Sequence, residues 1–145
     1  MTIGIIGESC VGKSTIADEL AKRIGAAVYT GKDYTRLAKN EAEALQKFVE
    51  LLNSDEKIIY VITDEEHVAL LPEKSVRIVI TADLETIKER FAQRTKGVLP
   101  PPVAVMLERK HGVFNNLDCD LRLEGTRDVF DLCDKIIEVI GCEEK

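Results

Sequence analysis

The spacing of glycine, lysine and serine near the start of the chain constrains its fold more than any other feature. Residues 7–14 read Gly-Glu-Ser-Cys-Val-Gly-Lys-Ser, which fits G-x-x-x-x-G-K-[ST], the phosphate-binding P-loop. The backbone N–H groups of such a loop surround an anionic phosphate only where few side chains crowd the backbone, which explains the two glycines. The lysine adds positive charge for the outer phosphates, and the serine hydroxyl is a ligand for Mg²⁺.

The residues on either side of the loop strengthen this prediction. Thr2–Ile6 is short and rich in β-branched residues, as is typical of a buried parallel strand. Apolar residues then recur at helical spacing until Gly25, which supplies a stop. The N-terminus of this helix adds partial positive charge where a phosphate would bind. The alternative, a glycine turn that matches the motif by chance, is disfavoured by this order of strand, loop and helix.

The rest of the chain continues to alternate strands with helices, which predicts an α/β fold with a parallel sheet covered on both faces. The further predicted strands are Ala26–Thr30, Lys57–Thr63, Val76–Thr81 and Leu121–Leu123. The further predicted helices are 34–53, Leu84–Thr95, Val103–Lys110 and Val129–Ile140. We expect residues 1–145 to form a single domain.

Composition narrows the function classes. The net charge of −6 argues against general nucleic-acid binding, and no apolar stretch reaches membrane-spanning length. The first predicted strand begins at residue 2, which leaves no room for a signal peptide. The four cysteines include no C-x-x-C pair and are interpreted as free thiols. We therefore expect a cytoplasmic protein with neither a nucleic-acid nor a membrane partner.

The segment from about residue 94 to residue 118 interrupts the strand and helix pattern. It contains three consecutive prolines, Pro100–Pro102, and four basic residues, namely Arg94, Lys96, Arg109 and Lys110. A long irregular insertion in a compact domain often covers an active site, so we interpret it as a basic lid. The alternative is a solvated surface loop. The P-loop elsewhere in an acidic protein favours the lid.

Together, the early P-loop, the five predicted strands and an arginine-bearing helix that leads into a basic insertion resemble the shikimate kinase and nucleoside monophosphate kinase group. The resemblance extends over nearly the whole chain, although its specific motif is the P-loop. It implies a three-layer P-loop NTPase fold with a parallel sheet in the order 2-3-1-4-5. It also implies ATP as phosphoryl donor, Mg²⁺ as cofactor, and transfer to a hydroxyl or phosphate of a small-molecule acceptor.

The expected nucleotide-binding set consists of Gly7, Glu8, Ser9, Cys10, Val11, Gly12, Lys13, Ser14, Thr15, Arg90 and Arg127. We expect Lys13 and the loop amides to hold the β- and γ-phosphates, and Thr15 the α-phosphate. The resemblance implies that Arg90 stacks on the adenine and that Arg127 belongs to the loop at the adenine edge. The alternative for Arg90 is a surface residue paired with Glu89 or Asp83.

The expected metal and catalytic residues lie at the ends of predicted strands and in the lid. Ser14 and Asp64 are the candidate Mg²⁺ residues, although Asp64 is also interpretable as a turn residue. Asp33 is the candidate base that orients an acceptor hydroxyl, although it is also interpretable as a helix N-cap. The candidate transition-state cations are Arg90, Arg94 (or Lys96 in its place) and Arg109, and Lys13 is a further candidate catalytic residue.

The acceptor is less well specified. The resemblance implies that Asp33 and Lys110 contact it. Lys32, Arg36 and Lys39 are candidates to attract an anionic group, although they are also interpretable as solvated surface charges. The Gly-Gly-Gly of the shikimate site is replaced by Thr63-Asp64-Glu65, and no arginine occurs between Asn40 and Asn53. These differences argue against shikimate and nucleoside monophosphates. They leave open a non-catalytic or weakly hydrolytic ATP-binding module and a P-loop ATPase or GTPase switch, although the missing N-K-x-D motif disfavours GTP.

Overall fold

The computed structural model describes residues 1–143, and its centre is a five-stranded sheet. The strands are β1 Thr2–Ile6, β2 Ala27–Thr30, β3 Ile58–Ile62, β4 Val76–Thr81 and β5 Leu121–Glu124. Every neighbouring pair is parallel, and the spatial order is β2-β3-β1-β4-β5. The predicted parallel sheet and the implied strand order are both confirmed.

Helices cover both faces of the sheet, and a separate apolar core fills each side. The helices are α1 Lys13–Ile24, α2 Glu41–Leu52, α3 Glu65–Val68, α4 Leu84–Arg94, α5 Pro101–Lys110 and α6 Val129–Glu143, with a 3₁₀ helix at Asp33–Leu37. One core contains buried residues of α1, α4, α5 and α6, and the other contains buried residues of α2 and the 3₁₀ helix. No helix within residues 1–143 has both the length and the apolar character needed to cross a membrane.

Strands β1 and β3 are central because all their residues can be buried. Each of the two strands is buried at all five positions, as expected of a parallel strand that is covered on both faces. Their parallel register brings their carboxyl ends to the same edge, where the Gly7 amide donates a hydrogen bond of 3.0 Å to the Ile62 carbonyl. The P-loop therefore begins beside the residues that follow β3.

The predicted helix over residues 34–53 is wrong as a single element. The chain makes a 3₁₀ helix over Asp33–Leu37, becomes extended at Ala38 and then begins α2 at Glu41. The Asn40 side chain accepts a hydrogen bond of 2.8 Å from the Glu43 amide and so caps α2. Because of this cap, a new helix begins inside the stretch for which the apolar periodicity predicted one continuous helix.

Candidate active site

The P-loop turns sharply between β1 and α1. Gly12 has a φ of 103°, in the left-handed region that side chains rarely adopt. Lys13 then begins α1 and is 6% exposed, and its Nζ donates a hydrogen bond of 2.5 Å to the Glu8 carbonyl. The Lys13 side chain thus folds back onto the P-loop backbone, and its amine lies within the loop.

Burial lowers the pKa of Lys13 to about 8. The positive charge of Arg94 acts in the same direction, whereas the negative charges of Glu8 and Asp64 favour the protonated amine. Among these, Arg94 and Asp64 come from the end of α4 and the end of β3. The electrostatics of Lys13 therefore show that both residues lie close enough to influence the loop.

A cavity of about 120 Å³, the P-loop cavity, is lined by loop residues and by residues from three other elements. Besides Ser9, Cys10, Gly12, Lys13 and Ser14, its wall includes Thr30, Thr63 and Arg94. Arg94 ends α4 and reaches this cavity from the start of the predicted lid. Two positively charged side chains, those of Lys13 and Arg94, therefore share one small space.

A larger cavity of about 450 Å³, the large cavity, continues on the α6 side of the loop. Gly12, Thr15, Arg90, Arg94 and Arg127 are among its lining residues. The structure therefore brings the predicted adenine residues to one cavity that adjoins the P-loop, with Gly12 and Arg94 common to both cavities.

Arg90 also has a contact that the sequence did not predict. Its guanidinium donates hydrogen bonds of 3.1 Å to the Cys10 carbonyl and of 3.1 Å to the Gly125 carbonyl. The alternative pairing with Glu89 or Asp83 is not the contact observed. Gly125 approaches the loop so closely that a Cβ there would lie 1.8 Å from the Val11 carbonyl oxygen. Arg90 therefore joins the P-loop to the turn after β5.

The far end of the predicted lid contacts the P-loop through Glu8. The Glu8 carboxylate lies 3.0 Å from His111 Nδ1 and accepts a hydrogen bond of 3.1 Å from the Gly112 amide. The side chain of Glu8 is 12% exposed, so this contact is largely shielded from solvent. Glu8 thus anchors the turn after α5 to the loop.

Asp64 follows β3, at the edge where the P-loop lies. Its carboxylate is 3.8 Å from Lys110 Nζ, a loose ion pair in which both side chains are more than half exposed. One ligand atom from each of Asp64, Glu66 and His67 lies within 4.8 Å of the other two. Asp64 therefore keeps a loosely paired, exposed carboxylate at the strand end that adjoins the P-loop.

Three predicted residues are placed elsewhere. The Asp33 carboxylate accepts a hydrogen bond of 2.9 Å from the Thr30 amide, so it stabilises the turn after β2 rather than capping a helix. The Arg36 guanidinium lies over the Tyr29 ring, 4.7 Å from its centroid. Arg109 is exposed and lines neither cavity described above.

Sequence reasoning missed the contacts made by Glu8, Gly125 and His67. The Glu8 contact joins residues 103 positions apart, and no local pattern indicates it. The close approach of Gly125 to Val11 likewise joins segments that are distant in sequence, so no local pattern indicates it. His67 is 5% exposed and belongs to the buried set, which its polar side chain does not indicate in the sequence.

Solved structures at low sequence identity share this architecture. A gluconokinase from Sinorhizobium meliloti superposes with a TM-score of 0.68 at 12% identity, over 97% of this chain and 91% of that one. A deoxyadenosine kinase from M. mycoides superposes with a TM-score of 0.62 at 19% identity, over 97% of this chain and 100% of that one. A shikimate kinase from Aquifex aeolicus superposes with a TM-score of 0.59 at 16% identity, over 99% of this chain and 98% of that one. The fold is that of the P-loop kinases.

A P-loop kinase fold explains why the phosphate-binding motif, the parallel sheet and the strand order occur together. Neither a protein-family model nor a curated protein sequence matches the chain. At identities below 20%, the three structures establish the fold, and the acceptor must be argued from this chain's own residues.

Proposed function

We propose that the protein is an ATP- and Mg²⁺-dependent phosphotransferase that moves the γ-phosphoryl group to a hydroxyl or phosphate of a small molecule. The observation that supports this most strongly is the P-loop cavity, into which both Lys13 and Arg94 contribute positive charge. Phosphoryl transfer depends mainly on positioning and on neutralising the charge of the transferring group. Two cations from different elements around one phosphate-sized space meet both needs.

The residues available fit the nucleotide. Loop amides and Lys13 would hold the β- and γ-phosphates, and Thr15, on the wall of the large cavity, would contact the α-phosphate. The base would occupy the large cavity between the P-loop and the turn after β5, beside Arg127. Arg90 would support this cavity by holding the Cys10 and Gly125 carbonyls, and its role would then be positioning as well as contact.

The candidate magnesium residues fit a hard cation. Ser14 offers an exposed hydroxyl on the wall of the P-loop cavity, and Asp64 offers a carboxylate that is only loosely paired. Oxygen donors of this kind suit Mg²⁺, which usually keeps several waters and shares its ligands with phosphates. When bound, the ion would neutralise phosphate charge. The protein's own contribution there would be to hold these two oxygen-bearing side chains beside the loop.

Replacing Arg94 by alanine tests the proposal. Because Arg94 reaches the P-loop cavity from the lid, its charge should act on the transferring group more than on bound ATP. We expect the Arg94→Ala variant to lose about 10³-fold in kcat. Its Kd for a non-hydrolysable ATP analogue should change by about threefold or less. The measurements are transfer of label from γ-labelled ATP to mixed acceptors, and calorimetric titration of the analogue.

Two further variants sharpen this test. Lys22→Ala removes an exposed cation from the last turn of α1, and both quantities should stay at wild-type values. Lys96→Ala removes the alternative lid cation, which lines neither of the two cavities, and its effect on kcat should be far smaller than that of Arg94→Ala. Equal losses of kcat for Arg94→Ala and Lys22→Ala would contradict the assignment.

A second candidate function is a non-catalytic or weakly hydrolytic ATP-binding module. It is favoured by the engagement of the expected acceptor residues elsewhere, since Asp33 binds the Thr30 amide, Arg36 covers Tyr29 and Lys110 faces Asp64. A protein of this kind would bind the ATP analogue with Mg²⁺ yet transfer no label to any acceptor. The same pair of measurements therefore separates the two candidates.

A further inference from the structure

A third cavity, the acceptor-side cavity, lies between the 3₁₀ helix, α2 and α3. Its volume is about 260 Å³, and its polar walls are Lys32, Tyr34, Glu41, Glu66 and His67. Of these residues, only Lys32 was among those predicted to attract the acceptor, and the sequence predicted it for an anionic group. The volume is just below the range of about 300–1,000 Å³ that is usual for small-molecule sites. A single small ring compound suits such a space.

His67 provides a separate indication that this cavity binds a ligand. The residue is 5% exposed, and its Nδ1 has no hydrogen-bond partner among the residues that the structure describes. Its other ring nitrogen lies 3.8 Å from Glu66 Oε1, beyond hydrogen-bond distance. A buried polar atom left unpaired costs about 1–3 kcal/mol, so such atoms are rare without a functional reason. A hydroxyl of a bound compound would satisfy the imidazole.

Two stretches of chain connect this cavity to the P-loop cavity. Thr30 lines the P-loop cavity, and Lys32 and Tyr34, just after it, line the acceptor-side cavity. Thr63 lines the P-loop cavity, and His67, four residues later, lines the acceptor-side cavity. A compound in the acceptor-side cavity would therefore lie next to the place where phosphates bind.

The charges on the cavity wall indicate the chemistry of the compound. Two carboxylates, from Glu41 and Glu66, stand against one ammonium group, from Lys32. Carboxylates accept hydrogen bonds from hydroxyl groups and repel other anions. Leu45 and Leu70 complete the wall and offer apolar surface to a ring. Donor groups on an uncharged ring match these walls better than a carboxylate or a phosphate does.

We propose that the acceptor-side cavity binds the phosphoryl acceptor, and that the acceptor is an uncharged ring compound carrying several hydroxyl groups. This inference rests on the proposed phosphotransferase function and narrows it. In the reaction an acceptor hydroxyl oxygen forms a bond to the γ-phosphorus, and the bond from that phosphorus to the β,γ-bridging oxygen breaks. ADP leaves with the electron pair, and the hydroxyl proton passes to a neighbouring carboxylate and then to solvent.

The experiment compares two acceptor panels with γ-labelled ATP and Mg²⁺. The uncharged panel contains glucose, ribose, inositol, thymidine and deoxyadenosine, and the anionic panel contains gluconate, shikimate, AMP and thymidine monophosphate. We expect labelled product from a member of the uncharged panel only. Calorimetric binding of the ATP analogue, measured first, tests the nucleotide site separately from the acceptor.

Variants then test the cavity with the acceptor that was found. Glu66→Gln and His67→Gln should lower kcat/KM about 10- to 100-fold, mainly through KM, without changing the Kd of the ATP analogue. Glu66 is largely exposed, so its variant should fold even if the buried His67 variant does not. Glu65→Gln, an exposed neighbour on α3 that does not line the cavity, is the matched control and should match the wild type.

The possible outcomes separate the two proposals. Transfer to the anionic panel alone overturns the inference and leaves the phosphotransferase function standing. Binding of the ATP analogue without transfer to either panel overturns both and favours the non-catalytic module. Transfer to an uncharged acceptor that is equally fast in Glu66→Gln and in Glu65→Gln overturns the placement of the acceptor in this cavity.

Discussion

At the scale of single residues, Lys13 combines a positive charge with burial. Its pKa in the folded protein is about 8, against the ordinary value of 10.5, and burial is the main cause. The unfolded chain keeps this proton up to about pH 10.5, whereas the folded chain releases it near pH 8. Raising the pH through this window therefore favours the folded state. We expect the free energy of unfolding without ligand to gain up to about 3 kcal/mol between pH 8 and 10.5 from this group.

The measurement is urea unfolding at a series of pH values, and the control is Lys13→Met. Other lysines and the tyrosines also titrate in this range, so the quantity to compare is the difference in slope between the two proteins. Lys13→Met should lack the rise that Lys13 contributes. If both proteins show the same dependence on pH, the amine is not held in a desolvated position.

At the scale of elements, the sequence predicted every strand and most helix ends to within one or two residues. The exception shows what periodicity omits. Residues 34–53 carry a continuous apolar stripe, yet a cap at Asn40 restarts the helix, and Asn40 with Glu43 three residues later is the spacing typical of an N-terminus. The capping signal is present in the sequence, but the continuous apolar stripe favours a single helix in a prediction from periodicity. The four-residue α3 is too short to show any periodicity.

Helix α4 offers a prediction at this scale, because two of its side chains make contacts of different kinds. Arg90, partly buried, donates to two backbone carbonyls in separate loops. Lys88 forms a surface ion pair with Glu108, whose side chain is half exposed. We expect Arg90→Ala to lower the free energy of unfolding by about 2–4 kcal/mol, since hydrogen bonds to charged groups contribute about 1.5–3 kcal/mol each. Denaturant unfolding followed by circular dichroism measures this loss.

Lys88→Ala is the matched control, because it removes a long basic side chain two residues away on the same helix. Exposed ion pairs contribute about 0–1 kcal/mol, so its loss should fall in that range. Similar losses for the two variants would mean that Arg90 does not join the P-loop to the turn after β5.

At the scale of the whole molecule, the sequence predicted the P-loop and its place in the sheet but not how distant segments meet around it. The motif is local, and its strand, loop and helix are adjacent in sequence. The contact between Glu8 and His111 and the close approach of Gly125 to Val11 join parts of the chain more than 100 residues apart. Such contacts follow from the complete packing, so no window of sequence contains them. For the same reason the acceptor-side cavity could not be foreseen.

The two ends of the predicted lid differ in their contacts with the P-loop. This difference predicts which end becomes better protected from amide hydrogen exchange when nucleotide binds. At the far end, His111 and Gly112 already contact Glu8. At the near end, Lys96 and Gly97 have φ values of 60° and 85°, two consecutive left-handed residues after α4. Changes of backbone angle in lid closure concentrate at a few positions of this kind. We expect the ATP analogue with Mg²⁺ to slow amide hydrogen exchange over residues 95–99 more than over residues 111–116.

Hydrogen exchange measured by mass spectrometry, with and without the analogue, tests this expectation, and Mg²⁺ alone is the control. Exchange slows when local opening becomes rarer, and a segment that is already anchored has less to gain. The Glu8→Gln variant extends the test, because a neutral amide weakens the contact with His111. In that variant residues 111–116 should exchange faster without nucleotide and should gain protection when it binds. Equal protection of both segments in the wild type would show that the insertion does not close from its α4 end.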